Sequence, residues 1–364
     1  MRHIVAVGRD NNLGWLRLII ATQVAVRHGL IHFYDLGSYD SLAFFRGTLF
    51  FFLVSGFLIY ESYLKDQDPW RFYQRRAIRL LPMVYLSTLA TIFILLWFVG
   101  PSLFVDHPLQ SLIWLFNQLT VLQKIWPPAF AEYGQSFING PLWFISTILI
   151  LYICVPLIAR AETYVPQTVP ILIVTSLLVS VALSMRDEYD LIALDRAVLT
   201  AKSFDAFSVA AKVLHPVVVS FWMFGLGILL RRNAQVFIYF INRPQYFVAA
   251  VAVSIALSQT GFLPVDALPP FHPLYFFGYV GLALLVAFKT PRLPQVPDLS
   301  MGVFVWHMPI FKILIYYETN SLPVGILLTF MVAAVSYRYI ERPIARRFAW
   351  RSSPKQSGSI AHRV

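Results

Sequence analysis

The stretch 13-LGWLRLIIATQVAVRHGLIHF-33 decides how the rest of the chain is read. A mostly apolar run of this length is enough to cross the hydrocarbon of a bilayer as one helix. Inside it sit Arg17 and His28, eleven residues apart. At about 100° per residue that spacing returns both side chains to within roughly 20° of one helix face, about 16 Å apart along the axis. An ionisable side chain in a membrane-spanning helix costs roughly 2.5–3.5 kcal/mol on insertion scales. Two on one face therefore predict a stripe turned into protein rather than lipid, and so a site. The plainer reading has equal weight on position alone: Arg17 snorkels to the inner headgroups and His28 marks the outer helix end beside Arg27.

The whole composition agrees with a membrane setting. Of 364 residues, 58% are hydrophobic, 16% aromatic and 13% charged, against about 25% charged in a soluble domain. So much apolar surface does not fit in one aqueous core, which excludes an ordinary soluble protein. The net charge of +11 falls in loops and is not a nucleic-acid signal by itself. The lone Cys154 has no partner for an intrachain disulfide. Met1–Asn12 is short and polar, and no small-x-small cleavage site follows, so the first apolar segment reads as a span rather than a leader.

Apolar windows of spanning length fall near 13–33, 43–63, 80–99, 142–160, 168–185, 213–230, 245–260, 274–288, 301–317 and 322–340. The stretch Leu109–Trp126, with Asn117, Gln118 and Gln123, reads as a re-entrant or interfacial helix. Starting inside, alternation puts Lys65 with Arg71–Arg79, Arg231 with Arg232 and Arg243, and Arg338–Arg363 on the cytoplasmic side. Segments 34–41 and 261–273 on the other side carry no Lys or Arg. This is the positive-inside pattern. The expectation is an all-α polytopic protein of about ten transmembrane helices with both termini cytoplasmic. One membrane domain covers 1–350, and 351–364 reads as a basic, disordered tail.

Further pieces stand in order behind Arg17 and His28. Arg46-Gly47 precedes a phenylalanine-rich helix containing Ser55-Gly56-Phe57-Leu58, whose small residues suit close packing. Arg46 is either a headgroup anchor or a site cation. Arg75, Arg76 and Arg79 stand just before a span, with Arg75 and Arg79 on one helix face. They fit anionic lipid or a phosphorylated cytoplasmic donor, since guanidinium forks suit phosphate. Gly140-Pro141-Leu142-Trp143 reads as a loop end and helix start, with Trp143 equally suited to an aromatic belt. His307-Met308-Pro309 puts a histidine beside a helix-kinking proline deep in a span. Glu341, in Tyr337-Arg338-Tyr339-Ile340-Glu341-Arg342-Pro343, is a carboxylate among arginines.

Taken in order, these pieces resemble the acyltransferase family 3 of integral-membrane acyltransferases, over nearly the whole chain. Two positions depart from the usual pattern. Ile148 stands where many members have Glu, five residues after the tryptophan. Near Arg46-Gly47-Thr48 the common Asp is missing. The resemblance implies an O-acyltransferase of groups other than aminoacyl. It would move an acyl group, commonly acetyl from cytoplasmic acetyl-CoA, onto a hydroxyl of a surface polysaccharide or exopolysaccharide. His28 is expected as general base or transient acyl carrier, and Arg17 as a cation for donor phosphate or the thioester oxyanion. Arg75, Arg76 and Arg79 are the expected donor-binding residues. Arg46, Trp143, His307 and Glu341 are supporting candidates.

The expected partners are acyl-CoA, a glycan or lipid-linked oligosaccharide, and lipids of a bacterial inner membrane. No nucleic acid, metal or resident cofactor is expected. Two other classes fit ten spans with buried charges: a transporter or flippase for a lipid-linked or anionic substrate, and a multi-span glycan polymerase or glycosyltransferase.

Overall fold

The computed structural model describes residues 11–35, 47–133, 140–185, 206–259 and 273–349. These are mostly helical, with no strand among the described residues. In chain order the helices are α1 (Leu13–Tyr34), α2 (Gly47–Leu64), α3 (Pro69–Phe98), α4 (Ser102–Val105), α5 (Pro108–Leu119), α6 (Leu142–Tyr164), α7 (Thr168–Met185) and α8 (Ala206–Arg232). They continue as α9 (Ala234–Ile241), α10 (Pro244–Gln259), α11 (Pro273–Lys289), α12 (Ser300–Tyr316), α13 (Leu322–Ser336) and α14 (Arg342–Ala349).

Each of the ten apolar windows falls on a helix, but fewer helices meet the demands of a span. Among the described residues five are long and apolar enough: Gly47–Leu64, Pro69–Phe98, Leu142–Tyr164, Val209–Arg232 and Leu322–Phe348. A sixth arises if Gln235–Ile241 and Pro244–Leu257, bent by 70°, count as one. α1 is not among them, because Arg17, Gln23, Arg27, His28 and His32 dilute its apolar character. The tail 351–364 and the loops 36–46, 186–205 and 260–272 lie outside the described residues.

Two helix boundaries differ from the windows for local reasons. α3 starts eleven residues before its apolar window. Asp68 caps it, accepting from the backbone N–H groups of Trp70 (2.9 Å) and Arg71 (3.2 Å), and Pro69 supplies the preset φ of a first turn. Arg75, Arg76 and Arg79 thus belong to a helix already running, not to a loop. The last window also continues, through a π-helical turn at Tyr337–Glu341 into α14. The weak stretch after Leu109 gives a helix of 12 residues, about 18 Å long and too short to span. One face of α4–α5 exposes Val105, Leu109, Leu112 and Phe116 while Trp114 is buried against Phe104 and Phe130, as an interfacial helix requires.

The packing places the site. α1 lies against α12 and α13, α2 against α8, and α3 against α12 and α6. At the C-terminal ends of α2, α6 and α8, Glu61 pairs with Lys65 and Arg231, while Glu162 pairs with Arg232 and accepts from the Tyr60 hydroxyl. Arg231 and Arg232, legible in the sequence only as topology signals, therefore tie helices together. The α2–α8 crossing depends on two glycines. A Cβ on Gly56 would lie 1.9 Å from the Phe224 carbonyl oxygen, and one on Gly227 2.1 Å from that of Leu53. Both obstacles are backbone, so no rotamer relieves them. Gly56→Ala is expected to destabilise the fold by about 1–3 kcal/mol or more, read as a lowered thermal midpoint in detergent.

Candidate functional site

α1 turns Arg17 and His28 toward α12 and the loop that leads into it. At its N-terminal end the Arg17 guanidinium meets Asp298, in the loop just before α12, with Nη2 3.0 Å from Oδ2. Three turns later His28 Nδ1 is 2.8 Å from Nε2 of His307 on α12. The stripe deduced from the eleven-residue spacing thus faces protein, and a single neighbouring helix receives it.

The loop that carries Asp298 is fastened to α1. Asn12 donates through Nδ2 to Thr290 Oγ1 (2.9 Å) and to the Pro291 carbonyl (3.0 Å), and it accepts from the Leu293 N–H (2.9 Å). Trp15 Nε1–H donates to the Pro294 carbonyl at 2.7 Å. These bonds hold a proline-rich segment that has no helix of its own. Asp298 Oδ2 is shared with Arg79 Nη2 at 3.1 Å, and Oδ1 accepts from the Ser300 hydroxyl at 2.6 Å. One carboxylate therefore draws two arginines, from α1 and α3, into a single point.

Around that point lies a cavity of about 360 Å³. Its polar wall holds Arg17, Arg76, Arg79, Asp298, Tyr152 and Glu341. Arg76 reaches only the Ser62 hydroxyl, at a long 3.4 Å, and its Nε is buried without a hydrogen-bond partner. Glu341 Oε1 is buried and unpartnered too, presented by the π-helical turn, a local irregularity common at functional sites. Arg75 points elsewhere and donates to Asp66 at 2.6 Å, which holds the Asp66 carboxyl below its ordinary range. Of the three expected donor-binding arginines, Arg76 and Arg79 line the cavity, on an i, i+3 face.

Burial alone would push the Asp298 carboxyl up, but the Arg17 and Arg79 guanidiniums and the Ser300 contacts outweigh it and hold it below the usual range. A lowered carboxylate pKa contributes stability above the unfolded value, about 3.9. That contribution is lost as pH falls through the folded value. Asp298→Asn is therefore expected to lower the thermal midpoint by a constant amount above about pH 5, with the difference shrinking as pH falls below about 4 and vanishing only below the folded value. Parallel melts of the two proteins from neutral to acid pH check this.

The histidine pair has a defined tautomer. His307 is fully buried, and its Nδ1 lies 3.1 Å from the Val303 carbonyl oxygen. A carbonyl only accepts, so Nδ1 carries the hydrogen and Nε2 of the neutral ring presents a lone pair. His28 Nδ1–H then donates to it, and the remaining lone pair sits on His28 Nε2. The chain Val303 C=O, His307, His28 orients one imidazole as a proton acceptor, as a buried carboxylate does in hydrolytic triads.

The other expected residues are placed as follows. Trp143 sits in the first turn of α6, packed on the core outside the cavity lining. Ile148 lines the cavity and is buried, so the position where many relatives carry Glu faces the site with a hydrocarbon side chain. Arg46 lies outside the described residues. Asp298 was not recognised from sequence. The signal was its being the sole acidic residue between Lys289 and Ser300.

The acyltransferase 3 family, described as an acyltransferase domain, matches residues 10–340. The chain is similar to Nodulation protein 10 of Rhizobium leguminosarum bv. viciae, with 26% identity over 92% of this chain and 93% of the relative. No solved structure matches.

Proposed function

The chain belongs to the acyltransferase 3 family, and from that premise we propose that it moves an acyl group from cytoplasmic acyl-CoA, acetyl-CoA in the simplest case, onto a hydroxyl of an exported polysaccharide. The setting proposed is a bacterial inner membrane, with ten spans and both termini in the cytoplasm. The observation that carries the reading is the pairing on α1. One end of this helix contributes Arg17 to a cavity rich in guanidinium groups, and the other holds an imidazole fixed as a proton acceptor.

Arg17, Arg76 and Arg79 bind the donor's phosphates, for which Asp298 is the resident substitute. His28 Nε2 takes the proton of the acceptor hydroxyl as its oxygen attacks the thioester carbon. The carbon–sulfur bond breaks, the ester forms, and CoA leaves as the thiol once its sulfur has received a proton. His307 acts through His28 as a positioning residue. An attacking oxygen must lie about 3–3.5 Å from the carbonyl carbon. Arg17, about 16 Å along the helix from His28, is therefore assigned to phosphate rather than to the oxyanion.

The experiment compares acyl content of the exported polysaccharide in cells that lack the chain, carry it, or carry His28→Ala at equal membrane abundance. The expected result is acylation only with the unaltered chain. Equal acylation in all three cells would refute the proposal.

A further inference from the structure

We propose that Phe51, Phe144 and Phe304 form the acyl-binding end of the cavity and set the length of acyl group it accepts. The inference rests on the acyl-CoA reading and deepens it. The cavity lining is mostly apolar, with Arg17, Arg76, Arg79 and Asp298 grouped together. α2 contributes Ser62 to the lining beside the arginines and Phe51 eleven residues away, about 16 Å along the helix. α6 runs from Phe144 down to Tyr152, and α12 from Ser300, next to Asp298, to Phe304 one turn on. The three phenylalanines thus come from three helices to the end remote from the arginines. Their rings meet there: centroids are 5.8 Å apart for Phe51 and Phe144, 6.1 Å for Phe51 and Phe304, and 5.3 Å for Phe144 and Phe304.

The phenylalanines border the histidine pair. The Phe304 ring lies 6.1 Å from His307, whose Nε2 is 2.8 Å from His28 Nδ1. An acyl group pressed against the phenylalanines is one ring away from the histidine pair. The donor has the matching polarity, with phosphates at one end and a hydrocarbon at the other. A phosphorylated sugar would fill the cationic end and leave the aromatic end without a complement. Pockets of about 300–1,000 Å³ that combine apolar walls with a few placed polar groups are the usual form of a small-molecule site.

The phenylalanines also serve as core packing, so the test reads selectivity rather than activity alone. CoA release by the purified protein is followed with acetyl-, butyryl-, hexanoyl- and octanoyl-CoA, for the unaltered chain, Phe304→Ala and Phe144→Ala. Removing a ring is expected to raise the hexanoyl-to-acetyl ratio of kcat/KM by about tenfold or more, the discrimination typical of methylenes in an apolar pocket. An unchanged ratio in both variants, with acetyl turnover retained, overturns the assignment. No CoA release by the unaltered chain from any thioester would instead sink the acyl-CoA reading, and this inference with it. Should the variants not fold, S-alkyl-CoA thioethers are tested on the unaltered chain. Thermal stabilisation that rises through short alkyl groups and falls beyond a limit supports the inference, and a shift independent of chain length overturns it.

Discussion

Replacing His28 with alanine is expected to lower acyl transfer by about two to four orders of magnitude, the usual worth of a positioned general base. The fall should appear in kcat, with little change in KM for acyl-CoA, because the arginine-lined end is untouched. His28 is partly buried and hydrogen-bonds His307. Its loss therefore leaves His307 Nε2 without a donor, which gives His28→Ala a stability cost of its own. His307→Gln separates the roles. The glutamine amide can still accept from His28 Nδ1–H, so this variant should retain far more activity than His307→Phe, which cannot. Stopped or single-turnover assays on detergent-purified protein check both, with thermal melts beside them. Equal loss in Gln and Phe variants would mean that His307 only packs.

Arg17 carries the second large effect. Arg17→Ala is expected to raise KM for acyl-CoA by about tenfold to a hundredfold, since hydrogen bonds to charged groups are worth about 1.5–3 kcal/mol. kcat should change less, because the reacting carbonyl lies near His28. Arg17→Lys restores the charge without the planar fork and should recover only part of the affinity. The same substitution leaves Asp298 with Arg79 as its remaining arginine. Some destabilisation follows, and Asp298→Asn measures that part alone. A pure kcat effect at unchanged KM would move Arg17 from phosphate to the oxyanion.

The residues that were legible in sequence share one property: their chemistry conflicts with their surroundings. An arginine and a histidine in an apolar run demand an explanation, and helical spacing supplies the common face. Glu341 and the arginines in the first turns of α3 stand out in the same way. What was not legible depends on contacts between distant segments. Asp298 sits in a loop that is ordered by Asn12 and Trp15, nearly three hundred residues earlier. Arg75 looks equivalent to Arg76 and Arg79 until Asp66 draws it aside. Phe51, Phe144 and Phe304 are ordinary apolar residues in apolar helices, and only their meeting at one end of a cavity distinguishes them.

The fold shows the same division. Apolar windows locate helices well, because lipid and protein interiors both select apolar runs. They locate span boundaries poorly. Asp68-Pro69 starts α3 inside a basic segment, and the π-helical turn carries α13 on toward α14 through another. α1 shows the limit from the other side. It is the helix on which the site depends, and its polar stripe is what removes it from the set of plainly apolar spans.

On the proposed mechanism this chain, in the membrane, takes an acyl group from a CoA thioester by means of the α1 stripe. The most direct measurement is release of free CoA from acetyl-CoA by the purified protein in detergent, with a polysaccharide acceptor supplied. The prediction is turnover with the unaltered chain and loss of that turnover with His28→Ala. A transporter or flippase would release no CoA with either protein, and that result would contradict the account.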